Sequence, residues 1–425
     1  MYLAIDLGST QFKASVFDAK LGVKGTGAHT LTYQYPAPGK VELLPDEVRT
    51  GFRTIIRGAL DSAACKPSDI KAIAIDSQAQ TFAVFDQKMQ PRTSLFSWLD
   101  GRATPICDSM GRASPWNKLA EHSSFGYLLA GLQLCMLRCM LDNGELRISP
   151  EDRILLLPSW LVHMLTGEAV VDANLAAMSG LFSLPQNHWW QEGLKALNMR
   201  EAQLPRIVPV GASAGVTSKV GSEFGLPSGI PVFLAGNDQT AGAYGAEIER
   251  RDALLVTLGT AYVVYALSPK LPGPAHGIIR GVYPGNRFYR MGADSCGGNI
   301  VTWGTGLLAG SSYDRFFELA EQAQPGAKGL VFDPEIVRGG SWTSVNMTQA
   351  APEFARSIVE SQIRRVAAMV ALVDPDHQSP RLLAAGGGSK RPLMTRLLSE
   401  ATGRTIETVQ ADPLRGAARL AAEAG

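Results

Sequence analysis

A chain of 425 residues is too long for one compact core and fits two domains. Forty basic and 39 acidic residues leave a net charge of +1, which excludes a global field drawing the protein to nucleic acid or to an anionic membrane. The apolar fraction of 45% and the charged fraction of 19% are those of an ordinary globular protein, and five scattered cysteines with no CxxC pair point to reduced thiols and a cytoplasmic setting.

The first segment, YLAIDLGSTQFKASVFD (2–18), reads as strand, tight turn, strand, with apolar and β-branched flanks around Gly8. It replaces any signal peptide at this end, and no apolar run reaches the ~20 residues a membrane span needs. PDEVRTGFRTIIRGALDSA (45–63) has helical periodicity, with Val48, Phe52, Ile55, Ile56 and Leu60 on one side. KAIAID (71–76) and TFAVFD (81–86) follow as strands. The same helical periodicity predicts helices over 125–144 and 151–168, stopped by Gly144 and Gly167. Cys135 and Cys139 then share a helix face as small apolar side chains, and His163 is a packed core histidine. PVFLA (231–235) is a buried strand leading into Asp238, the only acid between Glu223 and Glu247. ALLVTLGTAYVVYAL (253–267) repeats the opening strand–turn–strand pattern around Gly259 and Thr260. A long helix over 352–373 and a strand over 381–385 complete a second α/β half. The expected domains are 1–246 and 247–425.

Three glycine-bearing turns carry the chemical signal. Gly8-Ser9-Thr10 leaves backbone N–H groups and two hydroxyls free to meet an anion, and Asp6 at the strand's end is placed to bind the water shell of a metal ion. Leu258-Gly259-Thr260 offers the same donors from the other half. Gly386-Gly387-Gly388 follows a buried strand and precedes a helix opening near Pro392, an economical place for a flat ring to lie on bare backbone. No GxxxxGK[ST] and no GxGxxG occurs, so P-loop and dinucleotide-fold readings lack their fingerprints. None of the six histidines pairs with cysteine or carboxylate at metal-ligand spacing.

Taken in order, IDLGST, SWLDGRA (97–103), LTGE (165–168), VDANLAAMSGLF (171–182), GLPSGIPVFLAGNDQTAGAYGAE (225–247), LGTA, GGGSKRPL and RGAARLAA (415–422) resemble the FGGY family of carbohydrate kinases from end to end. The resemblance implies an α/β fold of two ribonuclease H-like domains, of the actin and hexokinase type, flanking a nucleotide-binding cleft. It implies ATP as phosphoryl donor, Mg²⁺ held through Asp6, and a small sugar as acceptor, with Asp238 as general base. Thr10 and Thr260 would contact phosphate, Lys13 would face the transferred group, and Gly386, Gly387 and Gly388 would pass close to adenine and ribose. Family members are often dimers, which extends the expectation to a homodimer.

The acceptor pocket departs from familiar members. Xylulokinases read Gly-Gln-Met-His and glycerol kinases Asn-Gln-Arg-Glu where this chain has Ser77-Gln78-Ala79-Gln80. The residues that grip glycerol are therefore missing, and so is the Met-His pair. Trp98 stands where the family sets a tryptophan against the substrate's carbons. Gln78, Gln80, Trp98, Asp100 and Gln239 are the pocket candidates, with Trp98 and Leu99 as plain core residues the competing reading. Arg391 replaces a small polar residue near the nucleotide, and the second domain is shortened after GLVFDPEI (329–336). A pentulose kinase is the expectation; a polyol kinase and a sugar-binding pseudokinase on the same fold stay open.

Overall fold

The computed structural model describes residues 1–335 and 339–424. Ile336, the last residue of GLVFDPEI, lies outside them. The chain forms two compact units: Met1–Gly245 with Ser268–Tyr289 and Asp412–Gly425, and Ala246–Leu267 with Arg290–Ala411.

The first unit is built on a six-stranded sheet in the order 213–216, 231–237, 72–77, 2–7, 11–17, 23–30. Strand Tyr2–Leu7 pairs antiparallel with Gln11–Phe17 and parallel with Ala72–Ser77, which pairs parallel with Pro231–Asn237. Alternation sorts the side chains onto two covered faces. Leu3, Ile5, Leu7, Ile73, Ile75, Val232 and Leu234 pack beneath helix Pro45–Ser62, whose buried Val48, Phe52, Ile55 and Ile56 form the expected apolar stripe. The other face carries Ala4, Ala72, Ala74 and Ala235, small enough for helix Pro413–Ala424 to lie close through Ala417, Ala418 and Ala421. Gly416 shows why RGAARLAA is so poor in side chain: a Cβ there would sit 1.8 Å from the Ala241 carbonyl oxygen. Three parallel strands thus end at one edge of the sheet, and that edge carries Asp6, Asp76 and, one residue past its strand, Asp238.

Two predicted helices are shorter than their periodicity. In 151–168, Arg153–Leu156 is a strand pairing with Phe82–Phe85, and the helix is Leu157–Thr166, opened by Pro158. Its apolar run is compatible with either period, and sheet pairing decides. In 125–144 only Gln133–Asp142 is helical, because Phe125 bridges to Ile279 and Gly126 and Gly131 interrupt the rest. Cys135 is buried there and Cys139 half-buried. His163 is half-buried rather than core, its Nδ1 3.0 Å from the Gly167 carbonyl at the helix end.

The second unit repeats the hairpin-and-crossover plan. Ala253–Leu258 pairs antiparallel with Tyr262–Ser268 and parallel with Arg381–Ala385, which pairs parallel with Thr405–Thr408. Helices Gly298–Leu308, Tyr313–Gln322, Ala351–Val373 and Pro392–Thr402 belong to it. Thr257 meets Ala385 in register as Asp6 meets Asp76 in the first unit, so Gly259 and Gly386 follow neighbouring strand ends. No helix of the described residues is long and apolar enough to cross a membrane.

Candidate active site

In the first unit, Asp6 is buried at the end of its strand, opposite Lys13 across the hairpin. Burial and the neighbouring Asp238 push its carboxyl up to about 6, against the pull of Lys13. Asp76, its parallel register partner, is wholly buried, and neither of its oxygens finds a donor among the described residues. What faces Asp76 is the Asp6 carboxylate, and two carboxylates meet favourably only with a proton between them. Burial and the charges of Asp6 and Asp238 hold Asp76 well above the usual carboxylate range. The opening residue of the C-terminal segment, Asp412, adds a further negative neighbour to both. Asp76, Asp412 and the residues bracing Asp238 were not singled out in the sequence. An acid inside an apolar strand, as in AIAID, was the available signal for Asp76.

Asp238 opens helix Asp238–Gly245. Its Oδ1 accepts the Gln239 backbone N–H at 2.9 Å and its Oδ2 the Gln239 side-chain amide at 3.2 Å. Gln239 is therefore an immediate partner of the base candidate. Burial raises the Asp238 carboxyl, and these two donors lower it in part. The backbone is clamped on both sides of it. The buried Asp172 carboxylate accepts the Gly236 N–H at 3.2 Å, and Asn174 accepts the Asn237 N–H at 3.0 Å. Asn174 also donates to Thr240 at 2.9 Å and to the Val282 carbonyl at 2.7 Å. VDAN thus supports the strand end that aims Asp238.

Trp98 is 40% exposed and Leu99 46%, so neither is a core residue. Asp100, expected to touch the sugar, is instead 1% exposed. Its carboxylate accepts from the Val41 and Arg102 backbone N–H groups at 2.7 and 2.9 Å and from the Arg102 guanidinium at 2.9 and 2.8 Å. It braces the Trp98 loop and has no lone pair left for a substrate hydroxyl. Gln78 is buried too, donating to the Gly8 carbonyl at 3.1 Å and accepting from Thr81 at 3.1 Å. Gln80 is buried with φ +72°, its amide 3.3 Å from the Met178 carbonyl. The structure therefore brings Asp6, Gly8, Lys13, Asp238 and Gln239 to one sheet edge, and gives Gln78, Gln80 and Asp100 internal bonds.

The second unit holds a cavity of about 640 Å³ lined by Leu258, Gly259, Thr260, Tyr262, Gly298, Val301, Phe317, Gly387, Gly388 and Met394, with Lys390 and Arg391. Gly386, at φ +88°, turns the chain so tightly that a Cβ would meet the Leu258 carbonyl oxygen at 2.7 Å. Gly387 faces open space. The start of helix Gly298–Leu308 closes on the Gly259-Thr260 turn, with Gly298 N–H donating to the Gly259 carbonyl at 3.0 Å. The Arg391 guanidinium lies 5.3 Å from the Phe317 ring and 5.9 Å from the Tyr313 ring, and pairs with Asp314. Apolar walls, bare glycine backbone and two cations make a fitting receptacle for a flat heteroaromatic ring carrying phosphates. Gly298, Tyr313 and Phe317 lie too far along the chain from any glycine turn to have been linked with it by sequence.

Among the described residues no three His, Cys, Asp or Glu side chains form a metal-holding group. The carboxylates at the first unit's sheet edge, Asp6, Asp76 and Asp238, are oxygen donors of the kind Mg²⁺ takes, one or two at a time, with water and substrate phosphates completing its shell. Asp6, with Oδ1 buried and unpartnered, is the residue that fits.

The hairpin and crossover strand in each unit, with acids at the sheet edge of one and a ring-sized cavity in the other, define a two-domain sugar-kinase fold. Residues 1–245 match the N-terminal domain, and residues 254–425 the C-terminal domain, of the FGGY family of carbohydrate kinases. The chain belongs to that family and is a carbohydrate kinase. It is 27% identical to a glycerol kinase of Alkalilimnicola ehrlichii over 442 residues, covering 95% of this chain and 86% of that one. It is 23% identical to a xylulose kinase of Lactococcus lactis, covering 99% and 87%. The fold matches the crystal structure of a gluconate kinase from Lactobacillus acidophilus with a TM-score of 0.90 at 19% identity, over 100% of this chain and 89% of that one. The reaction is thus phosphorylation of a sugar or polyol.

Proposed function

We propose that this chain transfers the terminal phosphoryl group of ATP to a hydroxyl of a small ketose, of the pentulose class, with Asp238 as general base. The observation that carries the reading is the placement of Asp238. A carboxylate made more basic by burial heads a helix at the sheet edge that also carries Asp6 and the Gly8-Ser9-Thr10 turn. The acceptor hydroxyl gives its proton to Asp238 as its oxygen forms the new P–O bond. The old P–O bond breaks, and the electron pair leaves on ADP. Asp6 would hold Mg²⁺, which would supply neutralising charge for the phosphates. Lys13, exposed beside Asp6, supplies a second positive charge, and Thr10 and Thr260 supply hydroxyl donors. The cavity lined by Gly387, Gly388, Val301 and Phe317 takes the base and ribose of the nucleotide. Trp98 and Leu99, both exposed, offer an apolar face to the sugar's C–H bonds.

A polyol acceptor is the second reading, supported by the likeness to glycerol kinases. Ala79 and Gln80 speak against glycerol itself, since the side chain of the first has no polar atom and that of the second is buried on the Met178 carbonyl. The test is ADP release with MgATP and a panel of pentuloses, hexuloses, heptuloses and polyols. A ketose should stimulate turnover well above every polyol. Turnover with polyols alone would replace the ketose reading, and sugar binding without turnover would point to a pseudokinase.

A further inference from the structure

Two turns that serve different substrates are tied together by side chains that neither substrate would need to touch. Tyr33 donates its hydroxyl to the Ser9 carbonyl at 2.6 Å. The same hydroxyl is held among the polar groups of Ser97 and Gln78. Gln78 then donates to the Gly8 carbonyl at 3.1 Å, so the Gly8-Ser9 turn is gripped at two successive carbonyls. The other end of the Gln78 amide accepts from the Thr81 hydroxyl at 3.1 Å, and that hydroxyl accepts the backbone N–H of Trp98 at 3.2 Å. Ser97 continues the connection by accepting the Leu99 N–H at 3.2 Å. Gln78 and Thr81 are buried, where an unmade hydrogen bond is costly, so the amide and hydroxyl have little freedom to rearrange singly.

We propose that Tyr33 is a positioning residue which, through Gln78 and Thr81, couples the Gly8-Ser9 turn to the Trp98 platform. The nucleotide's phosphates and the acceptor then each tighten the other's binding. The idea rests on the reading of Gly8–Thr10 as the phosphate turn and Trp98 as the acceptor platform. Physically, it converts two loops into one hydrogen-bonded unit. A ligand that orders the turn removes part of the ordering cost otherwise met when the platform engages its ligand. Reciprocity follows: if the sugar tightens ATP binding, ATP must tighten sugar binding by the same factor.

The experiment uses the full chain and the variants Tyr33→Phe, Thr81→Val and Thr81→Ser, with Tyr35→Phe, at an exposed position, as control. Backbone amide exchange in the free protein tests the network without reference to activity, with amides of helix Pro392–Thr402 as the internal standard. Tyr33→Phe should speed exchange at the Trp98 amide, and Thr81→Val should speed exchange in residues 8–13, each by about fivefold or more. Thr81→Ser should restore the wild-type rates. Effects confined to the residues each variant touches would overturn the coupling. With MgATP and D-xylulose as probe, binding of each ligand is measured with and without the other. The coupling factor should fall toward one in Tyr33→Phe, with kcat lowered more than either KM is raised. An unchanged coupling factor would also overturn the proposal. If the wild-type chain leaves D-xylulose unphosphorylated, the ketose that the panel shows to be turned over replaces it as probe; a panel in which no ketose is turned over while the exchange pattern holds would sink the ketose reading and leave the relay standing.

Discussion

Asp6 and Asp76 are register partners on adjacent parallel strands, and among the described residues the buried Asp76 carboxyl has only the Asp6 carboxyl to share a proton with. Asp6 is raised from the ordinary 3.8 to about 6, chiefly by burial, and burial also raises Asp76 well above the usual carboxylate range. A raised carboxyl favours the folded state while protonated. That contribution is complete below about pH 4 and is lost as pH climbs through about 6. Asp76→Asn keeps the shape, supplies a permanent donor to Asp6 and removes one buried charge. Its melting temperature should exceed the wild type's at pH 7.5, and its stability should vary less between pH 4 and 7. Calorimetric or fluorescence melts across that range check the expectation; a variant less stable than wild type at pH 7.5 contradicts it.

Asp238→Ala should keep the fold, because the residue is partly exposed and, among the described residues, its carboxylate bonds to the neighbouring Gln239. Turnover should fall by about 10²–10⁴-fold, the usual worth of a general base. The acid limb of the wild-type rate profile should stand above the ordinary aspartate range, since burial raises the Asp238 carboxyl and only its ionised form accepts a proton. Asn174→Ala tests the clamp behind it. That variant releases the Asn237 N–H and the Thr240 hydroxyl, and should lower kcat with less effect on KM. Steady-state rates between pH 5 and 9 separate the two effects, because loss of the clamp leaves a titrating base and loss of Asp238 does not. Near-full activity in Asp238→Ala would reassign the base.

The strand–turn–strand units were legible because apolar alternation around a glycine turn leaves few other solutions, as at Ile5–Leu7 and Leu255–Leu258. The helix over Pro45–Ser62 was legible for a similar reason: Val48, Phe52, Ile55 and Ile56 form a single stripe. Asp238 stood out as a lone acid among small residues. The roles of Gln78, Gln80 and Asp100 were not legible, since an amide or carboxylate in a loop reads alike whether it meets a sugar or a carbonyl of its own chain. Asp100 shows the difference: Val41, 59 residues away in sequence, supplies one of its donors. The strand Arg153–Leu156 was hidden for another reason, because RILLLP satisfies both periodicities and only its partner Phe82–Phe85 selects one.

Gly386 and Gly387 make opposite demands on a methyl group. At Gly386 an alanine would take up φ +88° with its Cβ 2.7 Å from the Leu258 carbonyl oxygen, so Gly386→Ala should destabilise the protein by about 1–3 kcal/mol. At Gly387 φ is −63° and a Cβ meets nothing within 4 Å. Gly387→Ala should therefore fold normally, yet place its methyl in the 640 Å³ cavity and raise the KM for MgATP about tenfold. Thermal melts and nucleotide titrations of the two variants distinguish the outcomes. A Gly387→Ala enzyme with unchanged nucleotide affinity would show that the base lies elsewhere.

Trp98 is the remaining discriminator for the acceptor. Its side chain is 40% exposed, while its backbone N–H is held by Thr81. Removing the indole in Trp98→Ala therefore leaves the loop's anchoring bond and its Asp100–Arg102 brace in place. The cost in stability should stay within about 1 kcal/mol, far from the 3–5 expected of a core tryptophan. Binding should suffer instead, because an exposed ring that gains a sugar face loses that contact area and its stacking geometry together. The acceptor KM should rise by about tenfold or more while the KM for MgATP changes little, and Trp98→Phe should recover part of the loss. A large drop in melting temperature with an unchanged acceptor KM would return Trp98 to a structural role.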